Sequence, residues 1–288
     1  MKKIIILALT AMFTSAILMS CEKEKVKSMQ QPLSMYSFDD IDLITQEMSI
    51  FHADYMTYFL NSIYPNIEKF DSTSYDIIRE SIYNKMLGYT FQYCSMSDSL
   101  CYLAISNIPL SLYYNIINFS QSSYDFSLLN EIESLKDVIV TLNTDALSDF
   151  FVSVDSIIPF FIDNSDSFDD FKDTYHKYVQ QNLFAMKNIQ TKEEYFYAKL
   201  FSEMYLSSIY YLSSYLCGQD KGPRWEKFKG MVKEAWEITR PIVASDAGGA
   251  VVGAMAGAVT GPGIVATGMA GACGASAGYC VEQLINGI

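Results

Sequence analysis

GAVVGAMAGAVTGPG, residues 249–263, is the stretch whose reading decides the fold. Glycine returns every fourth residue at Gly249, Gly253, Gly257 and Gly261, and Pro262-Gly263 breaks the run. A second run of small residues follows at Ala266, Ala270, Gly274 and Gly278, and no residue between Ala247 and Val281 is charged. Four-residue spacing stacks positions on one helix face, so each run predicts a helix with a stripe bare of side chains. The Pro-Gly pair predicts the turn between them. Two such helices form a hairpin whose backbones can approach closely, as small-xxx-small faces do in membrane helices. Helix packing is therefore expected at Gly249, Gly253, Gly257, Gly261, Ala270, Gly274 and Gly278.

Upstream of this hairpin the composition changes. Of 15 glycines, 11 lie after Asp246, whereas residues 22–217 contain only Gly88. Residues 22–220 carry 12 Lys/Arg against 28 Asp/Glu, a net of −16, which argues against a nucleic-acid partner. Residues 221–240 reverse the sign, with six Lys/Arg against three Glu, and hold both tryptophans. Pro223 predicts a helix start here. Trp225, Phe228 and Trp236 fall on one face, with Lys227 and Lys233 towards the other, so these five are candidates for a membrane-interface helix. The same pattern fits a helix docked on the acidic body by its apolar face.

Residues 36–217 read as a series of helical segments. Ser37 with Asp39 and Asp40, Ser167 with Asp169 and Asp170, and Thr191 with Glu193 and Glu194 are N-terminal helix signals. Ile41, Ile44, Met48, Phe51 and Tyr55 recur at helical spacing. Breaks are expected at Pro65, Pro109 and Pro159. The short run Val138-Ile139-Val140 reads as helix interior. The expected class is all-α: an irregular helical bundle with a C-terminal amphipathic helix and a glycine-zipper helical hairpin. The organisation divides into a signal peptide at 1–20, a tether at 21–35, a bundle domain at 36–217, a basic amphipathic linker helix at 218–244 and the hairpin at 245–288.

No motif for catalysis or for a cofactor accompanies this pattern. The two histidines, His52 and His176, lack a partner at metal-binding spacing, and His52 is expected at the edge of the core. The acid pairs read as first-turn helix charges, and Asp163, Asp166, Asp169 and Asp170 lack the glycine and terminal glutamate of a calcium loop. No phosphate loop or nucleophile elbow is present. Cys94 and Cys101 flank a predicted turn, whereas Cys273 and Cys280 share one helix and read as small buried residues.

The N-terminus has Lys2-Lys3, an uncharged run from Ile4 to Met19, and then Leu18-Met19-Ser20-Cys21. This resembles the lipobox of bacterial lipoproteins, a resemblance that implies acylation of Cys21 and a lipid anchor in the outer membrane of a Gram-negative envelope. An ordinary secretory signal is the alternative. The tail resembles uncharacterised Gram-negative lipoproteins and secreted proteins that end in a glycine zipper. It is also similar to two-peptide bacteriocins, whose Gly-x-x-x-Gly helices insert into membranes. The expectation is a non-enzymatic, lipid-anchored envelope protein without a cofactor, whose hairpin mediates membrane association or self-association. The alternative is a secreted, toxin-like or bacteriocin-like membrane-active protein. Residues 247–260 span about 21 Å as a helix, short of a ~30 Å hydrocarbon core, so membrane insertion and packing on the bundle both stay open.

Overall fold

The computed structural model describes residues 33–58, 110–130, 132–185, 191–217, 224–258 and 264–285. Cys21 and the rest of the targeting segment, the tether through Pro32, the helix expected from Ser72, Cys94, Cys101, Gly261 and the Pro262-Gly263 turn lie outside those residues. Among the described residues there is no strand, and the chain is all-α. Its helices are α1 (Phe38–Tyr58), α2 (Leu110–Gln121), α3 (Glu133–Ile139), α4 (Thr144–Asn164), α5 (Phe168–Ala185), α6 (Lys192–Cys217), α7 (Arg224–Ala258) and α8 (Ile264–Ile285). Short 3-10 turns occupy Leu33–Met35 and Phe126–Leu129.

The expected caps start the helices. Ser37 Oγ accepts from the Asp40 amide at 3.1 Å while Asp40 accepts from the Ser37 amide at 3.0 Å. Thr191 and Glu194 make the same reciprocal pair at the start of α6, each at 3.1 Å. Such a pair satisfies two amides that a helix start leaves without internal partners. Val138 and Ile139 lie in the last turn of α3, as helix rather than strand.

Two prolines lie inside helices, one of them at an expected break. Pro159 does not end a helix, because α4 runs through it to Asn164. Pro241 likewise lies inside α7, so the basic segment and the first glycine arm form one helix of 35 residues. The border expected between residues 244 and 245 falls in the middle of that helix. A helical proline loses one hydrogen bond and costs about 3 kcal/mol. Burial of Val243, Ala244 and Ala247 just beyond Pro241 works against that cost.

The α7/α8 hairpin sits at the centre of the fold, where α1, α2 and α6 pack around it. Ala250, Val251, Val252, Ala254, Met255, Met269, Ala270, Ala272 and Cys273 are all sealed from solvent. The bundle's own core is aromatic. Phe151 stacks on Phe201 with ring centroids 4.1 Å apart, and Tyr124 meets Phe201 edge-on at 5.0 Å. Tyr124 follows Ser123 in a left-handed turn, with φ values of 60° and 57°. Burying the Tyr124 ring among Phe119, Phe151 and Phe201 compensates for that backbone strain.

The hairpin thus supplies the surface on which α1, α2 and α6 bury their apolar faces. A chain ended at Cys217 is predicted to keep helical circular dichroism but to lose the cooperative thermal transition of the full chain. A sharp two-state melt from that fragment would show that the body has a core of its own.

Candidate functional site

The glycines of the two arms meet backbone to backbone. A Cβ built on Gly249 would lie 2.5 Å from the Gly271 carbonyl oxygen and 2.7 Å from Ala275 Cβ. One on Gly253 would overlap the Thr267 carbonyl oxygen, and one on Gly271 would lie 2.9 Å from Gly253 Cα. Gly268 faces both α1 and α7, with Met48 Cε at 2.6 Å from such a Cβ, Ala254 Cβ at 3.2 Å and the Ala250 carbonyl oxygen at 3.3 Å. The pairing runs Gly249 to Gly271 and Ala275, and Gly253 to Thr267, so the arms are antiparallel. Gly257, Ala270 and Gly274 are also buried.

On α8 the seam is therefore formed at Thr267, Gly271 and Ala275, one residue away from the run Ala266, Ala270, Gly274 and Gly278. Both runs have four-residue spacing and lie about 100° apart on the helix, so spacing alone does not choose which of them faces α7. Thr267 joins the seam through its carbonyl, which its side-chain type does not advertise. Gly268 and Gly271 were readable as glycines but stood outside the four-residue register.

A buried polar cluster lies beside the seam. Asp246 of α7 is fully buried and accepts a 2.8 Å hydrogen bond from Tyr211 Oη of α6. His52 of α1, expected at the core edge, is also fully buried, with Nε2 3.7 Å from Asp246 Oδ2. Its ring meets Tyr211 edge-on at 5.6 Å. Burial pushes the Asp246 carboxyl well above the usual carboxylate range, and hydrogen bonds from Ser208 and Tyr211 offset only part of that rise. Burial lowers the His52 imidazole to about 3. His52 is thus neutral at pH 7, and the shift at Asp246 is towards the neutral acid, the state that low-dielectric surroundings favour. Cys273 of α8 is a free, buried thiol, raised by burial first and by Asp246 second. Solvent reaches none of the three, so the cluster is placed to fix helix positions rather than to meet a substrate.

A second contact holds α7 beside Pro241. Arg240 Nε donates to Asp155 Oδ1 at 3.1 Å and to Oδ2 at 2.9 Å, and its terminal nitrogen reaches Oδ2 at 2.5 Å. Tyr205 Oη of α6 donates to the same carboxylate. Hydrogen bonding to Asp155 drives the Arg240 guanidinium further above its already high value. This fork ties α4, α6 and α7 through one buried carboxylate.

The basic amphipathic half of α7 is docked by its apolar face. Trp225 is buried against Phe168 and Phe171, and its Nε1 donates to the Ser165 carbonyl at 2.8 Å. Phe228 is buried and Trp236 packs against the core in part. Lys227 is exposed, and Lys233 bridges to Asp163 at 3.1 Å. The tryptophan face that would enter a membrane interface is covered by α5 and the turn before it. Among the described residues no three His, Cys, Asp or Glu side chains are grouped to hold a metal ion. Comparison with protein-family models, with curated proteins and with solved structures gives no match.

The state of Asp246 has a measurable consequence. Asp246→Asn preserves a neutral acceptor for Tyr211 and is expected to change stability by less than about 1 kcal/mol at pH 7, whereas Asp246→Ala loses about 1–3 kcal/mol. Folding keeps His52 neutral, so its contribution rises with pH from about 3 to 6.5. Folding favours the protonated form of Asp246, so its contribution falls as pH climbs above 3.8. Between these values the slopes oppose. Urea denaturation of Asp246→Asn from pH 4 to 6.5 should therefore show stability rising with pH more steeply than in the wild type. A destabilisation of several kcal/mol by Asn at pH 7 would mean that Asp246 is ionised.

Proposed function

We propose that the chain is an exported, lipid-anchored, non-enzymatic envelope protein whose glycine hairpin associates within the chain and so builds the body that the anchor displays. The observation that carries this reading is the seam itself: Gly249 and Gly253 are already covered by Thr267, Gly271 and Ala275. A small-residue face used in cis is not available to a second copy or to lipid unless α7 and α8 separate. The anchor rests on the lipobox-like residues Leu18 to Cys21.

A second reading, a membrane-active protein that keeps its hairpin sheathed until release, is favoured by one feature. Residues Thr239–Ala258 are long and apolar enough to cross a membrane, with a mean hydropathy of 1.2, and 78% of that window is buried. A buried helix of a globular core has the same composition, so burial alone does not separate the two readings.

Labelling with a fatty-acid analogue tests the anchor, and Cys21→Ser should abolish it and move the protein from the membrane fraction. Unchanged labelling would refute the anchor. Added to dye-loaded phosphatidylglycerol/phosphatidylethanolamine vesicles, the released full-length variant should stay monomeric and cause no leakage. Leakage at micromolar protein would favour the membrane-active reading.

A further inference from the structure

The chain that the anchor would hold enters the described fold at one end of α6. Lys192, the first residue of that helix, donates from Nζ to the Ser34 carbonyl at 2.9 Å and to the Tyr36 carbonyl at 2.6 Å. Leu33, in the turn held this way, is buried. Two more helix starts meet α6 here. Phe38, the first residue of α1, packs edge-on against Tyr195 with ring centroids 4.8 Å apart. The Asn143 amide, directly before α4, donates to Glu194 at 2.8 Å. The N-termini of α1, α4 and α6 therefore share one end of the bundle, together with Val140, three residues before Asn143.

That end exposes large apolar side chains. Met35 is 69% exposed, Phe38 51% and Val140 79%. Others are exposed elsewhere, Ile50 and Phe160 among them, so exposure alone selects no surface. The anchor does select one. Cys21 lies twelve residues before Leu33, and twelve residues reach at most about 40 Å, so an acylated Cys21 keeps this end near the bilayer. The basic half of α7 stands farther off. Trp225 packs on Phe168, which meets Tyr210, and Tyr210 is about 27 Å along α6 from Lys192 at ~1.5 Å per residue. Charge decides the kind of surface. Asp39, Asp40 and Asp145 are exposed in first helical turns, so they repel an anionic headgroup, whereas a zwitterionic one also presents a cation.

We propose that the end bearing Met35, Phe38 and Val140 rests on the zwitterionic bilayer surface that holds the anchor, so that α1, α4 and α6 lead away from the membrane and the basic half of α7 stands clear of it. This orientation rests on the acylation of Cys21 proposed above. Lys192 makes the link stiff, because it fixes the entering chain to α6 at Ser34 and Tyr36, on either side of Met35. The three apolar side chains then lie in the headgroup layer, where their exposed surface leaves water.

The test is photolabelling of the full-length protein, purified with its anchor and reconstituted into phosphatidylethanolamine/phosphatidylcholine vesicles that contain a diazirine-bearing phosphatidylcholine. Peptide mapping should find label at Met35, Phe38 and Val140 and none over residues 224–233. A Met35→Glu/Val140→Glu variant should keep the wild-type thermal melt, since both side chains are exposed, and should lose most of that label. Label over residues 224–233, label on no residue of the body, or label that the double variant leaves unchanged overturns the orientation while fatty-acid labelling of Cys21 still stands. A chain that carries no acyl group at Cys21 overturns the anchor and the orientation together.

Discussion

The contact on which the structure depends is the close approach of α7 and α8 at Gly249, Gly253, Thr267 and Gly271. Glycine within a helix is less favourable than alanine by about 1 kcal/mol. Several in one hairpin are tolerable only if the missing side chains permit something larger. Here they let two backbones come within carbonyl-to-Cα distance, where dispersion contacts accumulate along the seam. That approach makes the hairpin slim enough for α1, α2 and α6 to close around it. The hairpin thereby becomes the centre of the fold, in place of an appendage beyond it.

Close packing fixes distance but specifies register weakly, since a run of small residues looks alike from one turn to the next. The polar contacts supply what the seam lacks. Asp246, facing Tyr211 and His52, marks one position on α7 relative to α6 and α1. Arg240 on Asp155, with Tyr205, marks another relative to α4. A slip of one helical turn would leave these buried groups without partners, a cost of about 1–3 kcal/mol for each neutral group and more for the charged pair. The sheath and the seam therefore specify one another, and α7 carries both through Pro241.

Much of the fold was legible in the residues. Ser37, Ser167 and Thr191 mark helix starts by the chemistry of their side chains, and the structure begins helices directly after each. The zipper was legible on α7, where glycine spacing meets the seam at Gly249 and Gly253, whereas the contacts at Thr267, Gly271 and Ala275 on α8 carried no such signal. The burial of the hairpin was not legible, because an uncharged small-residue helix has the same pattern in a protein core and in lipid. His52 and Asp246 lie far apart in the chain, and neither carries a local signal of the other. Pro159 was misread for a physical reason: a lost hydrogen bond ends a helix only when surrounding contacts do not hold it, and here, as at Pro241, they do.

The central claim, that glycine is required by contact across the seam, is tested most directly by alanine at three positions. Gly230 lies on α7 with nothing within 4 Å of a built Cβ, whereas Gly253 and Gly271 face the opposing backbone. Chemical denaturation of Gly230→Ala should show a gain of up to about 1 kcal/mol from helix propensity. Gly253→Ala and Gly271→Ala should instead lose about 1–3 kcal/mol, as overpacked core sites do. If alanine stabilises all three positions alike, the two backbones are not in contact and the account of this fold is wrong.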